Sequence, residues 1–276
     1  MAQLPRVRAP TPVRFIVYAY GITWLVAWPL LLTKAGFLRT PAPFALHYLA
    51  GYGPLLAAAL VAYGEGEAPG FLAWARSLVR PVSAKWMAVA ASPLIVFAAI
   101  MVAFALSGRP TPALADLGRI AFLPAMAPWA ALLLWTFTFA VGEEAGWRGI
   151  LQPILQHLYG PLAGTFMVAA VWAGWHAPFF FYVSSYAAMG MGALAGFLVS
   201  MMAGAVLLAW IRNASGSVLP CILWHAAFNV VTASAVGRGT VAMLLSVAVI
   251  VAAVLVLVAT RGRLGARASA GDPMPA

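Results

Sequence analysis

Acid is scarce in this chain. Its 276 residues include six aspartates and glutamates against sixteen lysines and arginines; 8% are charged and 64% hydrophobic. With a mean hydropathy of +0.95, that composition excludes a water-soluble globule of this size, and several charge-free runs approach the roughly 20 residues that cross a bilayer. Cysteine is nearly missing too. The single Cys221 excludes an intrachain disulfide and any Cys-x-x-Cys metal site, and reads as a small buried apolar residue. His-Glu-x-x-His is absent, as is Glu-x-x-His, which removes the usual helical signatures of zinc proteases and di-iron bundles. The net charge of +10 does not point to nucleic acid, because the basic residues lie between apolar runs rather than along one face among aromatics.

What remains is apolar sequence in blocks. It predicts an all-α polytopic membrane bundle of about eight transmembrane helices plus a short interfacial helix. The expected spans are 15–33, 46–63, 86–106, 125–144, 162–182, 189–211, 217–236 and 240–260. The first could pass for a signal peptide, but no small-x-small cleavage site follows it. Between the second and third spans, Arg76 and Arg80 share residues 71–82 with Phe71, Leu72, Trp74, Leu78 and Val79, the pattern of a helix lying in the membrane surface. One membrane domain is expected over 1–276, with flexible cytoplasmic tails at 1–14 and 262–276.

Eight spans sort the basic residues unequally. Arg6, Arg8, Arg14, Arg76, Arg80, Lys85, Arg148, Arg212, Arg261, Arg263 and Arg267 fall on one side, and only Lys34, Arg39, Arg109, Arg119 and Arg238 on the other. The positive-inside rule makes the first side cytoplasmic, with both termini there, in a cell or inner membrane.

Two of the six acids stand together. Glu143 and Glu144 close a charge-free run from Ala121 to Gly142, and Arg148 follows four residues later. A carboxylate in a membrane helix costs several kcal/mol by insertion scales of about 2.5–3.5 and is a functional candidate by default. Glu144 and Arg148 are spaced i,i+4 with the acid first, so they can meet as a supporting ion pair. Glu143 points about 100° away and has no local partner, so it is a good proton acceptor where it meets water.

Other polar groups in the spans are few. His176 lies in the fifth, and His225 and Asn229 share one face of the seventh at i,i+4. A single intramembrane histidine serves mostly as an interhelical hydrogen-bonding group. Packed against Glu143, these three would make a pocket able to activate water and stabilise an oxyanion. His47 and His157 fall at expected membrane edges, and Trp86 and Trp210 read as interfacial anchors. The small residues around Met189-Gly-Met-Gly and Met201-Met202-Ala-Gly permit close helix packing.

Glu143-Glu144-x-x-x-Arg148, then His176, then His225-x-x-x-Asn229 resembles the CPBP family of intramembrane proteases, the CaaX-prenyl-protease-like and bacteriocin-processing (Abi) proteins. The likeness covers residues 129–236, with Trp172 where the family pattern has Phe. It implies Glu143 as general base on a water, His176 holding that water, and His225 with Asn229 as oxyanion hole, with Glu144 and Arg148 in support. It implies a peptide or membrane-anchored protein substrate near the cytoplasmic face of the lipid bilayer. A metal-free reaction is favoured. If a divalent metal such as zinc is used, Glu143, His176 and His225 are its ligands, since three protein ligands plus water is the usual catalytic arrangement. Two other functions fit a membrane Glu/His/Arg cluster: a proton-coupled transporter, and a non-catalytic immunity or scaffold protein of the same fold.

Overall fold

The computed structural model describes residues 11–64, 68–120 and 123–266. The fold over these residues is all-α. Its helices are α1 (Thr11–Lys34), α2 (Ala45–Ala50), α3 (Gly53–Gly64), α4 (Ala68–Val79), α5 (Ala84–Ala90) and α6 (Ser92–Leu106), followed by α7 (Pro128–Trp135), α8 (Val141–Gly146), α9 (Gln152–Tyr159) and α10 (Pro161–Trp175). The short α11 (Phe179–Tyr182) and α12 (Ser184–Ala187) lead into α13 (Met191–Ser215), α14 (Leu219–Thr232) and α15 (Thr240–Thr260). The one β-like contact among the described residues is an isolated bridge between Ile120 and Ser234.

The outer helices present apolar side chains outward. On α15, Val247, Val251, Val254, Leu255 and Val258 are all about half exposed or more. A stripe of that kind is costly in water and at home against lipid.

Four helical stretches are long and apolar enough to cross a membrane: Thr11–Lys34, Ala45–Gly64, Met191–Ser215 and Thr240–Thr260. A fifth forms if Ala84–Ala90 and Ser92–Leu106, bent by 54°, count as one span. By this measure the described residues do not reach eight, and proline and helix geometry account for the difference. The expected fifth span stops at Trp175 because Pro178 cannot continue it; the chain tightens there, with His176 and Ala177 bonding back to Ala173 and Gly174 at 3.2 and 3.0 Å. The seventh is α14 alone, 14 residues, or about 21 Å of helix. The fourth does not end at the two acids. Helical structure runs on from 128 to 159, including the expected connector 152–159, through π-helical turns at Thr136–Ala140 and Trp147–Leu151.

Two further expectations shift. The interfacial helix runs as Ala68–Val79 and is tied inward, its Trp74 indole donating to the Ala145 carbonyl at 2.9 Å. The expected tails are shorter where they are described: residues 11–14 belong to α1, and Leu264 is fully buried, its carbonyl accepting from Asn213 at 3.1 Å. Residues 1–10 and 267–276, with Arg6, Arg8 and Arg267, and Glu65 and Glu67 of the 65–67 link, lie outside the described residues.

The central element is α8, which packs on α3 and on α14. Glycine makes that possible. A Cβ on Gly142 would stand 2.2 Å from the Gly51 carbonyl oxygen, and one on Gly146 2.5 Å from that of Pro54. These two glycines, four apart, let α8 lie directly on the α2–α3 backbone, the small-xxx-small packing of membrane helices. At about 100° per residue Glu144 falls opposite the glycine face and Glu143 roughly at right angles to it, so neither acid points at α3.

Gly142→Ala is expected to cost about 1–3 kcal/mol, because the clashing atoms are backbone and cannot swing away. A fall in the unfolding midpoint in detergent measures it. Gly196→Ala on α13, where nothing lies within 4 Å of the added carbon, should not lower the midpoint; equal midpoints for the two variants would contradict this packing.

Candidate active site

Burying two carboxylates and a guanidinium requires partners for each. Glu144 and Arg148 are fully buried, and Glu143 is 2% exposed. Arg148 Nη1 donates to Glu144 Oε1 at 3.1 Å, the i,i+4 pair that the spacing predicts. The same oxygen also accepts from His225 Nδ1 of α14 at 2.8 Å, so Glu144 ties α8 to α14 as well as to its own helix. Glu144 Oε2 and Arg148 Nε and Nη2 have no hydrogen-bond partner. The guanidinium lies 4.6 Å from the centre of the Trp172 ring, where the ring's negative face offsets part of its burial.

Glu143 takes no part in that ion pair. Its Oε2 accepts a hydrogen bond from the Trp172 indole Nε1–H on α10. One turn on, at the end of α10, His176 Nδ1 donates to the Trp172 carbonyl at 2.8 Å. The His225 ring stands edge-on to Trp172 with centroids 5.6 Å apart. Glu143 is within electrostatic reach of His225 and Tyr186, and His176 of His225. The π-helical turns on either side of α8 shift the phase of the helix around the acids, a feature frequent at functional sites.

Three expected helices therefore converge, through α8, α10 and α14. Glu143 has no partner on its own helix, as its direction predicts, but it is not unpartnered: Trp172 was the missed residue. Asn229 sits one turn beyond His225, half-buried, and its carboxamide makes no hydrogen bond among the described residues. One contrast organises the set. Glu144 Oε2 and the free Arg148 nitrogens are sealed, whereas Glu143 Oε1, His176 Nε2, His225 Nε2 and the Asn229 carboxamide lack partners without being sealed.

Cys221 is buried as expected, and the remaining residues singled out in the sequence have these surroundings. His47 is buried, its Nδ1 2.9 Å from the Tyr182 hydroxyl and its ring among Phe44, Tyr48, Phe139 and Phe179. His157 is exposed. Cys221 is buried, its Sγ 3.5 Å from the Leu208 carbonyl. Trp86 and Trp210 meet edge to face at 5.2 Å.

As a metal centre the Glu143, His176 and His225 set does not fit. Among the described residues no three His, Cys, Asp or Glu side chains group closely enough to hold an ion, and one Glu143 oxygen is already engaged by an indole N–H.

Residues 124–231 match the family described as Rce1-like, type II CAAX prenyl endopeptidase Rce1-like. The matched stretch holds Glu143, Glu144, Arg148, Trp172, His176, His225 and Asn229, in agreement with the CPBP resemblance of the sequence. No curated protein matches the chain.

Arg148→Met leaves the buried Glu144 with one partner and should cost about 3–5 kcal/mol of stability, measured by unfolding in detergent. Adding Glu144→Gln to it should cost less than the two single changes summed. Strict additivity would mean that the pair does not interact.

Proposed function

We propose, on the premise that residues 124–231 form an Rce1-like domain in a membrane-embedded helical bundle, that the protein is an intramembrane endopeptidase of the CAAX type in which Glu143 activates a water. The observation that carries this is the division of labour on α8. Glu144 is committed to Arg148 and His225, while Glu143 keeps one carboxylate oxygen free and unsealed, within electrostatic reach of His225 and joined through Trp172 to the helix turn that carries His176.

In the reaction, Glu143 takes a proton from water as the oxygen attacks the scissile carbonyl carbon. His176, its Nδ1–H anchored on the Trp172 carbonyl, holds that water through Nε2. The carbonyl π electrons move to oxygen, and the oxyanion accepts hydrogen bonds from Asn229 and from His225 Nε2–H when the ring carries its second proton, its Nδ1–H facing the Glu144 carboxylate. The intermediate collapses with cleavage of the C–N bond. The proton held by Glu143 passes to the departing nitrogen, by way of His176, leaving a carboxylic acid and an amine; the acid's proton then moves to the amine, giving a carboxylate and an ammonium group. No step calls on a metal ion, and every proton stays on a named residue or on a product.

The substrate is a peptide or membrane-anchored protein cut close to the membrane. The excess of basic residues on one side of the expected spans supports a cytoplasmic position for the cut in a cell or inner membrane.

Purified wild type in liposomes is expected to cleave a prenylated CaaX-type peptide or an unprenylated membrane-anchored peptide, with no change on addition of chelator. Glu143→Gln should lower the rate by roughly 10²–10⁴-fold at an unchanged unfolding midpoint. Cleavage retained in that variant contradicts the reading; chelator-sensitive cleavage restored by zinc contradicts its metal-free form.

A further inference from the structure

Trp172 touches four members of the site at once. Its indole N–H donates to Glu143 Oε2, and its ring lies under the Arg148 guanidinium at 4.6 Å. Its carbonyl receives His176 Nδ1–H at 2.8 Å, and its ring edge meets His225 with centroids 5.6 Å apart. It is buried, with 7% of its surface exposed. The carbonyl is backbone and the ring contact needs any large aromatic. The N–H is different. It belongs to tryptophan alone, and it stands where the family pattern read from the sequence has phenylalanine.

We infer that Trp172 is a positioning residue that fixes the orientation of the Glu143 carboxylate through its indole N–H. The carboxylate sits on a flexible three-bond stem. With Oε2 held by a donor on another helix, rotation about the terminal bond is arrested, and Oε1 becomes the oxygen left for water. A charge-assisted hydrogen bond of this kind is about twice as strong as a neutral one, enough to select one rotamer. The second function of the ring follows from the same geometry. By meeting the Glu143 carboxylate with its edge and the Arg148 guanidinium with its face, Trp172 gives each ion a partner of its own, the N–H for the anion and the π face for the cation. Arg148 is then left to Glu144, and Glu143 is not drawn into the ion pair. The inference rests on the proteolytic reading for its consequence, but the hydrogen bond itself does not.

Two experiments separate the two. In the first, protein labelled with [15N-indole]tryptophan is examined by NMR in detergent. The chain has eleven tryptophans, and the signal absent from Trp172→Phe assigns Trp172. Glu143→Gln, which removes the charge from the acceptor, is expected to move that signal upfield more than any other indole. An unmoved Trp172 signal overturns the proposal whether or not the protein cleaves anything.

In the second, wild type is compared with Trp172→Phe and with isosteric 3-benzothienylalanine at position 172, which replaces only the N–H by sulfur. Both should lower kcat by about 10- to 100-fold with KM unchanged, at an unfolding midpoint close to wild type for the isostere. If Trp172→Phe fails to fold, the isostere carries the test. Wild-type kcat in the isostere overturns the positioning role and leaves the proteolytic reading standing. An inactive wild type counts against the proteolytic reading, and the indole shift then decides the hydrogen bond alone.

Discussion

Two neighbouring carboxylates in an apolar bundle cannot share one arginine on equal terms. Their mutual repulsion and their loss of water must both be offset, and the low dielectric magnifies each. The protein resolves this by treating the two acids differently. Glu144 is enclosed completely, with Arg148 and His225 both on one oxygen, while Glu143 has a single neutral N–H and one oxygen outside the sealed set. The asymmetry between adjacent residues of one helix is what the remaining architecture supports.

Its support is mostly backbone geometry. Gly142 and Gly146 press α8 onto the α2–α3 junction, which turns the acids away from α3 toward α10 and α14. Pro178 ends α10 directly after His176, so the imidazole lies at a helix end instead of in mid-span. The i,i+4 spacing on α14 carries Asn229 one turn past His225. Trp172 fills the space these elements leave, in contact with the acid, the guanidinium and both rings. In the proposed reaction, enclosure of Glu144 keeps the site assembled and exposure of Glu143 Oε1 does the chemistry.

Much of this was legible in the residues. The hydropathy gave a helical membrane bundle, the i,i+4 spacing gave the Glu144–Arg148 pair, and the scarcity of acid singled out Glu143. The Glu144–His225 bond was not legible, because it joins residues 81 apart and depends on how α8 and α14 pack. Trp172 was visible only as an aromatic in an aromatic's place; that its N–H has a carboxylate to meet is a fact of tertiary structure. Among the described residues four or five stretches qualify as spans by length and composition, so the expected count of eight is not confirmed. Pro178 was in plain view as a stop to the fifth, whereas the π-helical turns that carry helix from 128 to 159 have no simple signal in a period of 3.6 residues. His47 shows the same limit: its partners Tyr182 and Phe179 come from α11, far along the chain, and no local spacing points to them.

The central claim is that Glu143 activates water and does not itself attack the peptide. A single turnover in 18O-labelled water, with enzyme in excess over peptide and both partners then analysed by mass spectrometry, tests it most directly. Direct attack by water places one heavy oxygen in the new carboxylate of the product and none in the enzyme fragment containing Glu143. Label in that fragment would mean that Glu143 had formed an anhydride with the substrate, and would contradict the account.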